Sequence, residues 1–93
     1  MPGIEFFGDE ERREVMDVLE TGVMFRYNHD TERKGHWKAR EFERAVADFV
    51  GAKHAHSVSS GSTAVACALA ACGVGYDDEV IVPPFTYIAT IEA

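Results

Sequence analysis

The sequence predicts an α/β fold in which two helices lead into one βαβ unit of parallel sheet. Three observations carry the prediction. A β-type stretch at 54–58 follows an amphipathic helix, a helix of small apolar residues occupies 62–73, and a second β-type stretch runs from Glu79 to Val82. Strand, helix and strand in that order make two parallel neighbours joined by a right-handed crossover. The hydrophobic fraction of 46% is that of a globular chain rather than a disordered one.

Each element has its own signals. Asp9 stands where an N-cap belongs, and Glu10 and Glu11 suit a first turn that favours acids. Val15, Met16 and Leu19 form a short apolar stripe and Gly22 is a stop, so residues 10–20 read as a surface helix. The next stretch, "VMFRYNHDTERKGHW", has no period and reads as an arm, long enough to suggest a functional or partner surface. Residues 38–50 place Phe42, Ala45, Val46, Phe49 and Val50 on one helical face before Gly51. Helix 62–73 has no polar face and therefore needs cover on most sides, with Val65, Leu69 and Cys72 along one stripe. Gly73 and Gly75 end it, Pro83 and Pro84 halt the second strand, and "FTYIATIEA" begins another helix.

Composition narrows the function. Lys and Arg total 9 against 16 Asp and Glu, a net charge of −7, which is unsuited to nucleic acid. No long apolar run suits a membrane and no basic-then-apolar start suits a secretory leader, so the expectation is a cytoplasmic protein. Cys67 and Cys72 fall roughly 140° apart around a helix, too divergent to pair, and are expected as buried reduced thiols.

In a parallel sheet, ligands sit beyond the carboxyl ends of the strands. Two segments reach that edge, "SSGST" and "PPFTY". Gly61 allows a sharp turn and a close approach, while Ser62 and Thr63 fall where a helix N-terminus presents free N–H groups. That arrangement suits an anion, phosphate above all. Ordinary helix capping uses the same residue types, so both readings stand at this point. The pattern is neither a Walker loop nor a dinucleotide fingerprint.

The run "HAHSVSSGSTAVACALAACGVGYDDEVIVPPFTYIAT" resembles the sugar aminotransferases of the DegT/DnrJ/EryC1/StrS type. The likeness lies in Ser-Gly-Ser-Thr-Ala, the small-residue helix, Gly-Val-Gly, Asp-Glu-Val-Ile and Pro-Phe-Thr-Tyr, with "REFERAVADFVGAKHA" resembling the helix upstream. The resemblance implies the N-terminal portion of the type I pyridoxal-phosphate aminotransferase fold. Residues 1–53 would be its N-terminal helices and arm, and 54–93 the βαβ unit with the cofactor-phosphate loop. It implies that Gly61, Ser62 and Thr63 hold the phosphate of pyridoxal 5'-phosphate and that Tyr87 stacks on its ring. It also implies glutamate as the expected amino donor, a keto or aldehyde sugar as acceptor, and a homodimer. The opening "MPGIEFFG" and the arm "FRYNHD" look most like the branch acting on 8-amino-3,8-dideoxy-octulosonate, a sugar acid of lipopolysaccharide.

The family's cofactor-anchoring lysine lies downstream of the matched motifs. Lys34, Lys38 and Lys53 do not fit that role, so no catalytic residue is assigned in this chain. Its expected partners are the remainder of the enzyme or a second copy. Phe25, Arg26 and Tyr27 are candidates for a substrate pocket or a subunit contact. Within "DTERKGHWKARE", Arg33 or Lys34 is a candidate contact for an anionic substrate, and a solvated charged loop is the plainer expectation. His54 and His56 alternate as metal ligands can, but no third ligand has suitable spacing, and structural histidines are expected. Two rival functions remain, a noncatalytic interaction fragment and a small phosphate-binding domain.

Overall fold

The computed structural model describes residues 3–93 and divides into two compact units, Met1–Ala55 and His56–Ala93. Met1 and Pro2, the start of the segment "MPGIEFFG", lie outside the described residues.

The first unit holds a 3-10 turn, Ile4–Phe6, and two helices, α1 (Asp9–Thr21) and α2 (Lys38–Val50). Gly8, not Asp9, is the N-cap of α1. The reason is the Glu11 carboxylate, which accepts from the Gly8 amide at 2.7 Å. That bond also holds the Glu11 carboxyl below its ordinary value. Asp9 moves into the first turn and pairs with Arg12 at 3.1 Å. Gly22 and Gly51 end the two helices in the left-handed region, each at φ 69°, as the sequence suggests.

Ion pairs join α1 to α2. Lys38 Nζ donates to Glu14 Oε2 at 2.5 Å and to Asp17 Oδ2 at 2.8 Å. The Lys38 hydrogen bond holds the Asp17 carboxyl below its usual value, and the bonds to Asp17 and Glu14 hold Lys38 well above the ordinary lysine range. Val23 and Ala47 are buried, with Val18 and Val46 half-buried. The expected stripes stay open: Val15, Met16, Leu19 and Phe42 are exposed, and Phe49 is 91% exposed. An amphipathic face needs an apolar surface opposite it, and these side chains have none over most of their area.

The second unit holds α3 (Gly61–Ala71) and a short α4 (Ala89–Glu92), which pack together. Cys72 is the C-cap of α3, and Gly73 follows in the left-handed region at φ 79°. The Val74 amide then donates to the Leu69 carbonyl at 3.0 Å. A turn closes where the Gly75 amide donates to Asp78 Oδ2 at 2.8 Å.

Further expectations differ from what is observed. Residues 54–58 and 79–82 form no strand, so the described residues are helical with no βαβ pairing. Parallel pairing is weak for two short segments and depends on further strands and on helices covering both faces. Ile81 is accordingly 101% exposed. Helix α3 is likewise open: Val65 and Leu69 are half-buried and its other residues are exposed. Cys67 and Cys72 are thus exposed thiols rather than buried ones, because nothing covers the helix that carries them. Finally, Arg33 is not solvated within its charged loop but is 6% exposed, held by the carbonyls of the arm.

Candidate functional site

The corner before α3 is built by Ser60. Its backbone is extended and its Oγ accepts from the Thr63 amide at 3.2 Å, the geometry of an N-cap. The Ser60 and Thr63 hydroxyls also share a hydrogen bond at 3.0 Å. This places Gly61, Ser62 and Thr63 together in the first turn of α3. The Thr63 amide and hydroxyl are engaged by the cap, whereas the Gly61 and Ser62 amides precede the first intrahelical donor, the Ala64 amide, which donates to the Ser60 carbonyl at 3.0 Å. Ser62 is exposed, and a Cβ built on Gly61 would meet nothing within 4 Å. Two amides without an intrahelical acceptor, an open flank and the positive end of a helix dipole are the features that an anion site uses.

The neighbouring cleft is lined by Ser62, Thr63, Ala66, Ala89, Glu92 and Ala93. Glu92 puts a carboxylate on its wall, which disfavours an anion inside the cleft itself. Tyr87 lies two residues before α4, is 78% exposed, and is not part of that lining. Thr86 and Thr90 share a hydroxyl hydrogen bond at 2.9 Å across the same turn.

Phe25, Arg26 and Tyr27 belong to the first unit. Phe25 and Arg26 line a cleft of about 280 Å³ with Val18, Val23, Trp37 and Lys38. Arg26 Nη2 donates to Glu43 Oε2 at 2.6 Å, and this bond raises its basicity further. Tyr27 lines a separate cleft with His29, Trp37 and Arg40. Lys34 is exposed in a left-handed turn at φ 52°, and His54 and His56 are exposed as well. Ser60, the cap itself, and the Arg33 and Lys38 contacts are features that sequence reading passed over. A serine three residues before Thr63 was a legible cap signal, while the carbonyl contacts of Arg33 leave no mark in residue spacing.

These elements are a helix opened by a hydroxyl-rich corner, preceded by an arm and two helices. Over residues 7–93 the sequence matches the DegT/DnrJ/EryC1/StrS aminotransferase family, and the chain belongs to that family. It is 41% identical over 87 residues to the spore coat polysaccharide biosynthesis protein SpsC of Bacillus subtilis, covering 94% of this chain and 20% of SpsC. It is 38% identical over 90 residues to a UDP-2-acetamido-2-deoxy-3-oxo-D-glucuronate aminotransferase of Pseudomonas aeruginosa, covering 96% of this chain and 25% of the relative. A GDP-perosamine synthase of Caulobacter vibrioides is 56% identical over 50 residues, 54% of this chain and 14% of the relative. The matched part of the chain therefore spans a quarter or less of each of these relatives. Among the described residues, no helix is long and apolar enough to cross a membrane.

Proposed function

We propose that the chain is the N-terminal portion of a pyridoxal-phosphate-dependent aminotransferase that moves an amino group from an amino acid, with glutamate the expected donor, to a keto or aldehyde sugar. The family match over residues 7–93 carries this reading. The sugars in the relatives' names support the acceptor class. The likeness of the opening segment and arm to the octulosonate branch supports a role in lipopolysaccharide, and family likeness supports a homodimer.

When bound, the cofactor supplies the electron sink for the carbon that gains or loses nitrogen. This chain's share is to bind and orient. The Gly61 and Ser62 amides and the Ser62 hydroxyl would hold the phosphate, and Thr63 would join them by releasing Ser60. The open flank of Gly61 fits that use. Tyr87 would lie against the ring face and fix its plane. In the longer protein, segments 54–58 and 79–82 would pair as parallel strands, bringing both loops to one sheet edge. Residues 1–53 would then form the helices and arm, and 54–93 the cofactor-binding unit.

The reading is tested in the complete aminotransferase with glutamate as donor. The two probes are UDP-2-acetamido-2-deoxy-3-oxo-D-glucuronate, and GDP-perosamine run in the reverse direction. A Ser62→Ala, Thr63→Val double variant should lose cofactor affinity by about tenfold or more, as expected for lost charge-assisted hydrogen bonds. Wild-type affinity in that variant would overturn the phosphate assignment.

A further inference from the structure

The cleft of about 280 Å³ in the first unit inverts the charge balance of the chain. Acids outnumber Lys and Arg by 16 to 9 in the sequence, yet the cleft lining holds no carboxylate and includes Arg26, Arg33, His36, Lys38 and Arg40. Three of these cations are answered from outside the lining. Arg26 pairs with Glu43 at 2.6 Å, Lys38 with Glu14 and Asp17, and His36 Nδ1 lies 3.8 Å from Asp17. Arg33 and Arg40 are not answered: among the described residues, neither has a carboxylate at ion-pair distance. Asp30 borders a separate cleft with Arg40 and makes no ion pair with it.

Arg33 is the costly member, since it is only 6% exposed. Its Nε donates to the Asn28 carbonyl at 2.7 Å, and its Nη2 donates to the Phe25 carbonyl and, at 3.4 Å, to the Tyr27 carbonyl. Among the described residues Nη1 has no acceptor. No fully occluded side-chain nitrogen lacks a partner, so Nη1 keeps an opening, and the cleft is the opening that Arg33 lines. Carbonyls satisfy hydrogen bonds but carry no net charge, and a desolvated cation is unfavourable without a counter-charge.

Trp37 holds the second cation beside the first. The Arg33 guanidinium lies 4.2 Å and that of Arg40 3.7 Å from the centre of its ring. The two charges are therefore within about 8 Å of each other, inside the screening length of about 10 Å at 0.1 M salt, and they repel. The ring attracts each cation but neutralises neither. One anion in the cleft lowers the desolvation penalty and the repulsion together.

The lining also selects the anion. A guanidinium fork matches the two oxygens of a carboxylate. Val18, Val23 and Trp37 add an apolar wall suited to a short hydrocarbon stem. The volume lies at the bottom of the range for ligand pockets, about 300–1,000 Å³, and is too small for a nucleotide sugar. We propose that this cleft is a carboxylate-binding site, in which Arg33 Nη1 and the Arg40 guanidinium receive the anion and Val18, Val23 and Trp37 receive its stem. The site stands within the first unit and does not rest on the aminotransferase reading. Two sources offer this chemistry: a free short-chain carboxylate, or a Glu or Asp side chain from the part of the longer relatives that the chain does not span.

The test uses the complete aminotransferase with fluorine-labelled tryptophan, the Trp37 resonance being assigned by its loss in Trp37→Phe. This readout is local to the cleft. The probe is propionate, and its control is propionamide, the same stem without the charge, with ionic strength held constant by sodium chloride. A free source predicts a saturable shift of the Trp37 resonance with propionate and none with propionamide. Arg40→Gln, a change at an exposed side chain, should then weaken the propionate affinity about tenfold or more. A source within the polypeptide predicts an unresponsive resonance, together with a Glu or Asp carboxylate from outside this 93-residue segment at Arg33 Nη1 in a crystal structure of the same protein. A propionate response that propionamide matches, or that survives both Arg40→Gln and Arg33→Lys, overturns the inference. So does an unresponsive resonance with no carboxylate at Arg33 Nη1.

Discussion

At Gly61 the isolated chain has no steric need for glycine, because a Cβ there meets nothing within 4 Å. Alanine at this helical position should leave α3 unharmed or stabilise it by about 0.5–1 kcal/mol. A phosphate held close to the same backbone, as proposed, would reverse the preference. We predict that Gly61→Ala keeps or raises the helicity of α3 by circular dichroism while weakening cofactor affinity in the complete enzyme; undiminished affinity would mark the glycine as part of a cap only. Ser60→Ala should instead act on the fold, lowering stability by about 1 kcal/mol through loss of the cap to Thr63, measurable by urea unfolding of the complete enzyme. The two variants separate ligand binding from helix initiation at adjacent positions. Both residues were open to sequence reading because caps and turns are local. Ser62 and Thr63 were legible for that reason, as were the left-handed stops at Gly22 and Gly51. Arg33 was not, because its partners are backbone carbonyls five, six and eight residues away, and carbonyls carry no residue identity.

For the helices of the first unit, the Lys38 contacts predict a pH dependence. The Asp17 carboxyl is held below its ordinary value, so its contribution is present above the unfolded-state pKa of about 3.9 and is lost as pH falls through the lower folded value. Lys38 is displaced upward, so its contribution is complete below about 10.4 and disappears as pH rises through its folded value. Between these limits Asp17→Asn should be less stable than wild type, and the difference should vanish in strong acid. Unfolding midpoints of the complete enzyme and its Asp17→Asn variant from pH 7 to pH 2 check this, and a constant difference across the range would refute it. The helices themselves were legible: α2 spans Lys38–Val50, where the apolar period places it. The face that α2 buries was not, because Ala47 and Val46 lie inward while Phe49 stays in solvent. Periodicity shows which face wants cover, and only the rest of a fold decides what covers it. The two β-type stretches follow the same logic, since a strand is a property of a pair.

Across the whole molecule, no described side chain is fully buried, and Phe49, Tyr76, Ile81 and Phe85 are almost entirely exposed. We predict that the 93-residue chain alone unfolds without a sharp transition, or with one that depends on concentration as copies cover one another. Calorimetry over a hundredfold range of concentration tests this, and a sharp, concentration-independent transition in a monomer would contradict it. Nor should the chain alone form a borohydride-trappable link with pyridoxal phosphate at one lysine. Lys38 is held protonated by Glu14 and Asp17, the opposite of an activated amine. A single labelled lysine in a mass spectrum would refute that. The open state of α3 has one more consequence. Its thiols, Cys67 and Cys72, are within reach of an alkylating reagent in the chain as it stands. If neighbouring segments close over this helix in the complete enzyme, the same sulfurs fall silent. The rate at which iodoacetamide marks them is then a clock for assembly, running fast while the helix is bare and stopping once it is covered.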